Sequence, residues 1–333
     1  MSQDSCNAVY NTLIKRYASV KITTIDNLLD LDALVLRRPD LVFLGMTFIP
    51  MDSKLGFRDP NKIWIAAYFD EHGIAYTGSA QAAHELQRDK PSAKRRVLSS
   101  GLMTSQFFVI KQDELINRSA ITLKYPLFVK PKDRGGGLGI DSNSVAYNFE
   151  QLAAKVRSIT AIYHSDSIVE EYLPGREFSV AILKNDSLSG FTVMPIELVA
   201  PVDKNGIRIL SNKVKTSNAE QVFEVINEDI SSIVNALAIN VFLALGGRDY
   251  GRIDIRLDED GVPNFLEANL IPSLISSYGS FPKACMFFGI DFVSMIMRIV
   301  ELGLSRCMEN TEETLQTLIP ISDVMATPSN VAA

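Results

Sequence analysis

The chain has 333 residues, 47% of them hydrophobic, enough to bury one large core or to divide it among two or three modules. Its 33 Lys and Arg against 39 Asp and Glu give a formal charge of −6, which argues against a nucleic-acid binder, because phosphate-backbone affinity needs clustered cations. Three scattered cysteines (Cys6, Cys285, Cys307) make neither a disulfide framework nor a CxxC metal motif, and neither a secretory leader nor a run of about 18 apolar residues is evident, so a globular cytoplasmic protein without membrane spans is expected.

Taken in order, residues 8 to 17 read as a short helix, "VKITTID" as a strand and "DLVFLGMTF" as a buried strand. "NKIWIAAYFDEHG" has helical spacing and stops at Gly73, and "IAYTGS" reads as strand then turn. A small parallel sheet over residues 1–88 is the expectation. The charged helical stretch "AAHELQRDKPSAKRRVLSSG" leads into a second module, 89–176, with "SQFFVI", "YPLFVK", a glycine turn, the helix "YNFEQLAAKVRSI" and the strand "SIVEEYL". A third, 177–309, carries the strands "EFSVAIL", "FTVMPIELV", "YGRIDIRLD" and "VPNFLEANL", framed by the helices "ISSIVNALAINVFLALG" and "FVSMIMRIVELGL". Residues 310–333 lack strong periodicity and read as a loosely held tail.

Three segments carry chemistry. "YPLFVKPKDRGGGLGI" sets Lys130 and two more cations beside Gly135, Gly136, Gly137 and Gly139. Glycine lets backbone N–H groups approach a ligand closely and lysine supplies a compact cation, so the stretch reads as a flap over phosphates or as an ordinary surface hairpin. It fits neither a Walker loop nor a dinucleotide fingerprint. In "GRIDIRLDEDGVPNFLEANL", period-two alternation turns Ile253 and Ile255 to one face and Arg252, Asp254 and Arg256 to the other. After the DEDG turn, Glu267 and Asn269 share a face, so Asp254, Glu267 and Asn269 form an oxygen cluster of the kind Mg²⁺ selects. A solvated charged hairpin is the alternative, weakened by the apolar neighbours of Glu267. In "VEEYLPGREFSV", acids cannot hold phosphate but can meet ribose hydroxyls, with backbone near Glu170 to Leu173 facing a purine edge. His72, His84 and His164 are scattered, and Trp64 and the "MIMRIV" stripe read as core.

The order strand-Lys130, glycine flap, "VEEYLPGREFSV", "GRIDIRLDEDG", "FLEANLIP" resembles the ATP-grasp superfamily, specifically D-alanine-D-alanine ligase and its relatives, from about residue 73 to 303, and "RDKPSAK" looks like that family's Asp-Lys-x-x-x-Lys segment. The fold implied is α/β (α+β ATP-grasp): a small parallel N-terminal α/β domain, then two ATP-grasp subdomains with mainly antiparallel sheets. The resemblance implies that Lys94 and Lys130 hold ATP phosphates under the Gly135–Gly139 loop. Glu170, Glu171, Tyr172, Leu173 and Leu266 line the nucleotide pocket, and Glu177 meets the ribose. Asp254, Glu267 and Asn269 ligate two Mg²⁺ ions. Arg252 stabilises a tetrahedral oxyanion, and Lys213 approaches the γ-phosphate, with Lys215 close enough to compete. The activity implied is ATP-dependent joining of a small carboxylate to an amine through an acyl phosphate, by a chain that leaves room for a homodimer.

The departures concern the other substrates. The family's opening strand and glycine-rich loop, with an acid for the first ammonium, are missing or rebuilt. Val214 stands where a tyrosine commonly follows the mobile-loop lysine. "NLIPSLISSYGSFP" replaces Asn-Thr-x-Pro-Gly-Met-Thr, which leaves the carboxylate-binding serine open among Ser276, Ser277 and Ser280, while Leu270, Ile275 and Val214 imply a more apolar acceptor side. A ligase with altered substrate pockets is the leading reading. A genuine D-alanine-D-alanine ligase and a nucleotide-binding protein without ligase chemistry are the alternatives.

Overall fold

The computed structural model describes residues 1–186, 190–203, 205–275 and 278–317, with side chains to 306. Ser276, Ser277 and residues 318–333 therefore lie outside the described residues.

The N-terminal block opens with α1 (Gln3–Leu13) and α2 (Leu28–Leu36). A capping box fixes the start of α2: the Asn27 side chain accepts from Asp30 N–H, and the Asp30 carboxylate accepts from Asn27 N–H. Next come β1 (Phe48–Pro50), β2 (Lys62–Trp64) and α3 (Ile65–His72), which Gly73 ends at φ +63°. Leu31, Leu44, Ile49, Ile65 and Phe69 share one small core.

The parallel sheet expected here is reduced to a bridge between Val42 and Tyr76, and the sheet that does form, β1 with β2, is antiparallel. "VKITTID" is not a strand. Ile25 is buried in the block's core while Ile22 is exposed, and residues 20–26 have no strand neighbour to pair with; β-branched propensity alone does not make a strand. The reading also missed α2, whose nine residues are all apolar or acidic.

Two helices, α4 (Gln81–Arg88) and α5 (Lys90–Ser99), meet at Asp89, whose carboxylate caps α5 by accepting from Ser92 N–H at 2.8 Å. The four-stranded sheet follows, built from β3 (Phe107–Ile110), β4 (Leu127–Pro131), β5 (Val145–Ala146) and β6 (Ser167–Glu171) in the order β3-β6-β4-β5, all antiparallel. Between β5 and β6, α6 (Phe149–Tyr163) packs Leu152, Val156 and Ile159 on Leu127, Val129 and Val169.

The five-stranded sheet has the order β11-β10-β7-β8-β9, again antiparallel: β7 (Glu177–Lys184), β8 (Phe191–Val199), β9 (Gln221–Glu224), β10 (Tyr250–Leu257) and β11 (Pro263–Asn269). Chain order interleaves α7 (Asn212–Thr216) and α8 (Glu228–Ala244), and α9 (Ser280–Phe287) and α10 (Phe292–Thr317) follow. Helix therefore continues through 310–317, where a loose tail was expected. Alternation along the strands supplies two apolar faces. Val180, Ile182, Ile253 and Ile255 meet Val234, Val241 and Phe242 of α8, joined by Ala93 and Val97 of α5. Ala181, Leu183 and Tyr250 meet Phe281 of α9 and Ile296 and Ile299 of α10. Phe242 is fully buried against Gly251, and truncating such a side chain to Ala costs about 3–5 kcal/mol.

The second face changes character along β10. Its apolar half, at Tyr250, is covered by α9 and α10, and beyond it the same alternation puts Arg252, Asp254 and Arg256 on that face, with Asp254 and Arg256 lining the cleft toward the four-stranded sheet. The site lies there.

Candidate active site

A cleft of about 640 Å³, counting its open mouth, separates the two sheets. Phe128, Lys130 and Glu170 to Leu173 face it from one side, and Glu177, Asp254, Arg256, Leu266 and Glu267 from the other.

On the four-stranded side, the Glu170 carboxylate bridges two ammonium groups, Lys94 Nζ at 2.9 Å from Oε1 and Lys130 Nζ at 2.9 Å from Oε2. Phe128, not Lys130, is the strand partner of Glu170; Lys130 pairs with Ile168, on the same face two residues along. Burial alone would raise the Glu170 pKa, but the two lysines outweigh it and the carboxyl stays below its usual range. Burial pushes Lys94 down to about 8. It acts the same way on Lys130, but Glu170 and Glu267 more than offset it there. Lys94 is 0% exposed and also donates to Thr104 Oγ1 (2.6 Å) and Ser105 Oγ (2.9 Å). It stands behind the cleft wall, whereas Lys130 lines the cleft. The Glu170 carboxylate is thus committed to two lysines.

Sequence reading missed Lys90, the first lysine of "RDKPSAK", although its spacing was in view. Lys90 is buried, its Nζ lies 3.5 Å from Glu267, and it donates to the carbonyl of Arg134 at the base of the flap. Three lysines against Glu170 and Glu267 leave this end of the cleft with an excess positive charge.

The flap is the connection between β4 and β5, as read. Gly136, Gly137 and Gly139 have φ of +63°, +74° and +78°. Asn212, at the start of α7, donates to Gly136 O at 3.0 Å, and a Cβ on Gly137 would fall 2.9 Å from the Asn212 backbone nitrogen. Flap and α7 are thus in contact. On α7, Lys215 lines the cleft while Lys213 is exposed and does not. Residues two apart on one helical turn do not point the same way, so of the two lysines only Lys215 reaches the cleft.

On the five-stranded side, Asp254 and Glu267 are register partners in β10 and β11, as are Arg252 and Asn269. Arg252 clamps Asp254 with two bonds of 2.9 Å, Ser179 Oγ donates to Asp254 Oδ1 at 2.8 Å, and the Asn269 amide donates to Oδ2 at 3.2 Å. Burial would raise the Glu267 pKa, but Lys90, Lys215, Lys130 and Arg252 hold it at about 2. Among the described residues no three His, Cys, Asp or Glu side chains stand as a ready metal cluster. The donor set nevertheless suits a hard cation: two carboxylates, one of them held firmly ionised, and an amide whose other atom is a carbonyl oxygen. Glu177 pairs with Arg256 at 3.1 Å, while burial raises its pKa. Arg256 also lies over the Tyr172 ring, 5.4 Å from its centroid, and was not among the expected site residues.

Two other expectations change. Leu270 is 0% exposed within the core against α8, so it does not make the acceptor side apolar. Trp64 is half-buried beside a second cleft rather than core. His84 fits the structural reading, being fully buried with its pKa pushed down to about 4 by burial.

The family described as D-ala D-ala ligase C-terminus matches residues 97–301, more than half of the chain. The chain belongs to this family. It is an ATP-grasp ligase of the D-alanine-D-alanine ligase kind. Its relatives include a D-alanine–D-alanine ligase of Pelotomaculum thermopropionicum, 27% identical over 310 residues that cover 90% of this chain and 91% of that one. The uncharacterised protein y4sG of Sinorhizobium fredii is 29% identical over 250 residues, 74% of this chain and 71% of that one. The fold matches the D-alanine–D-alanine ligase of Bacillus anthracis in complex with ATP, with a TM-score of 0.71 at 19% identity over 92% of this chain and 94% of that one. The family match covers the four- and five-stranded sheets of this ligase and leaves out α1 to α4, the β1–β2 pair and most of α5, including Lys90 and Lys94. No helix among the described residues is long and apolar enough to cross a membrane.

Proposed function

We propose that the chain joins a small carboxylate to an amine at the expense of ATP, releasing ADP and phosphate, with substrate pockets that differ from those of D-alanine-D-alanine ligases. The observation that carries it is the pairing of Asp254 with Glu267 opposite Lys130 and Lys90 across one cleft. A carboxylate is a poor electrophile. It becomes reactive by taking the γ-phosphoryl group, and that step crowds anionic oxygens together. Lys130, Lys90 and Lys215 offset that charge, and Lys94 holds Glu170 and through it Lys130. Glu177 and the backbone of 170–173 place the nucleoside. Mg²⁺, held by Asp254, Glu267 and Asn269, would neutralise phosphate oxygens during the transfer. Arg252, oriented by its clamp on Asp254, supplies fixed positive charge to the tetrahedral oxyanion formed when the amine attacks.

A genuine D-alanine-D-alanine ligase is the second reading, favoured by the names of the relatives. Val214 and the changed N-terminal segment favour the first, because a site loses discrimination for a small polar substrate when its hydrogen-bond partners are missing. A matrix of amino acids and small acids, assayed for ADP release with product masses, separates them. D-Alanine alone should give slow or no release while another pair sustains turnover. D-Alanyl-D-alanine formed at about one turnover per second or faster overturns the altered-pocket reading. Amine-independent ATP binding without any ADP release would leave only a nucleotide-binding protein.

A further inference from the structure

The chain crosses from the four-stranded to the five-stranded sheet once, through the Pro174–Gly175 turn between β6 and β7. The end of β10 holds that turn. Gly175 N–H donates to Leu257 O at 3.0 Å, and Leu257 N–H donates to Arg176 O at 2.9 Å. A Cβ on Gly175 would fall 2.5 Å from Leu257 O, so only a glycine allows so close an approach.

Arg256, beside Leu257, adds side-chain bonds to the same place. Its Nε donates to Gly175 O at 3.1 Å, Nη1 to Glu177 Oε2 at 3.1 Å and Nη2 to Arg208 O at 3.2 Å. Nη2 also lies 3.4 Å from the Tyr172 hydroxyl. Every nitrogen of the guanidinium thus has a protein partner, and lysine, with one donor atom, could not serve them all. Glu177 is the register partner of Arg256, so the two side chains stand opposite each other on one face. The pair uses only Oε2 of Glu177. Oε1 makes no hydrogen bond among the described residues, and Glu177 lines the cleft. Burial raises the Glu177 pKa, and Arg256 is the foremost charge opposing it. From Arg208 the chain runs on into Ile209 and Leu210, buried in the cleft wall, and then into α7 with Lys215.

We infer that Arg256 is a positioning residue for ribose recognition: it holds Glu177 by one oxygen, leaves the other open to the ribose hydroxyls, and so makes the cleft selective for ribonucleotides. This rests on the nucleotide site of the ligase reading and deepens it. Arg256 acts through Glu177 and carries no contact to phosphate, because its donors are already taken by the turn, the acid and the segment that leads to α7.

Binding of ATP, 2′-deoxy-ATP and 3′-deoxy-ATP to the full chain with Mg²⁺ is measured by calorimetry. The parent should prefer ATP to at least one deoxy analogue by about tenfold or more, the scale of a hydrogen bond to a charged group. Arg256→Met should bring that preference below about threefold by weakening ATP, with the same deoxy analogue held within about twofold. Glu177→Gln should do likewise, and the double variant should lose no more than either single one, because both act through one carboxylate. Arg256→Lys keeps a cation in place, which guards against misfolding, and should still cut the preference by about threefold or more. A brace of the fold alone would weaken every nucleotide together and leave the ratio intact. That result, a parent that does not discriminate, a ratio unchanged in both Arg256 variants, or additive losses in the double variant each overturns the assignment while the ligase reading stands. A parent that binds no ATP overturns both.

Discussion

The two clefts differ in how they treat charge. Between the sheets, Glu170 and Glu267 are buried among lysines that neutralise them, and Asp254 is clamped by Arg252. At the N-terminal hairpin, Lys62 and Arg88 line the second cleft and stack on aromatic rings, and among the described residues neither has a carboxylate within ion-pair distance. The first arrangement pairs its charges within itself, on hydrogen-bonded strands. The second leaves these two cations unpaired, in a block held by a two-stranded sheet and one parallel bridge.

The comparison breaks most readily at Glu267. Glu267→Gln should lower ADP release by about 10²–10³-fold, the scale of losing one electrostatic stabiliser of a transition state. From the sequence alone, removing one carboxylate of a cluster relieves repulsion and should not lower the melting point. The structure reverses that sign. A carboxyl held at about 2 is net stabilised by the cations around it, so its ionised form adds stability that is complete above its unfolded value near 4.5 and is lost as pH falls toward 2. Denaturant titrations of the parent between pH 5 and 2 should show this loss, and in Glu267→Gln the slope should flatten while the stability at neutral pH is lower. An unchanged slope would mean that Lys90 does not pair with Glu267 in solution.

Lys130 tests the first cleft through stability and binding together. Lys130→Met leaves Glu170 with Lys94 alone, and breaking a buried ion pair from one side costs about 3–5 kcal/mol. Chemical denaturation measures that cost. Affinity for ATP should fall about tenfold or more while adenosine is held as before, since only the phosphates lose a cation. Equal weakening of both ligands would argue against contact with phosphate.

On α7, Lys215→Ala should reduce turnover by about 10²-fold and Lys213→Ala by less than about threefold, because Lys215 alone of the two lines the cleft. Gly137→Ala should raise the KM for ATP several-fold with little change in melting temperature. Its φ of +74° and the Asn212 backbone 2.9 Å from the new Cβ would cost about 1–3 kcal/mol, taken from the contact between flap and α7. The smallest effect belongs to the N-terminal block. Asn27→Ala removes the cap of α2 at about 1 kcal/mol, seen as a lower melting temperature, and should leave ATP affinity within about twofold.

Much of this was written in local patterns. Alternation in "GRIDIRLDEDGVPNFLEANL" sorted Ile253 and Ile255 to the core and Arg252, Asp254 and Arg256 to the other face, where Asp254 and Arg256 line the cleft, because a strand's period of two is a property of its own backbone. Helix stops such as Gly73 and the hairpin on either side of the glycine flap were legible for the same reason. Pairings between distant segments were not. Nothing near Lys94 in sequence says that it is sealed behind Glu170, 76 positions on, and nothing near Leu270 says that Gln87 and the α8 core receive it. Residues 20–26 have strand composition and no partner strand, so composition misled where pairing was absent. Sequence by itself determined most elements of the two antiparallel sheets, their order and the chemical types brought to the cleft, all governed by neighbours three or four residues away, but not the N-terminal block. Only the tertiary structure decided which lysine faces the ligand, which carboxylate is neutralised and which cations are left without a partner, because those depend on burial and on charges that meet only when the sheets close on one another.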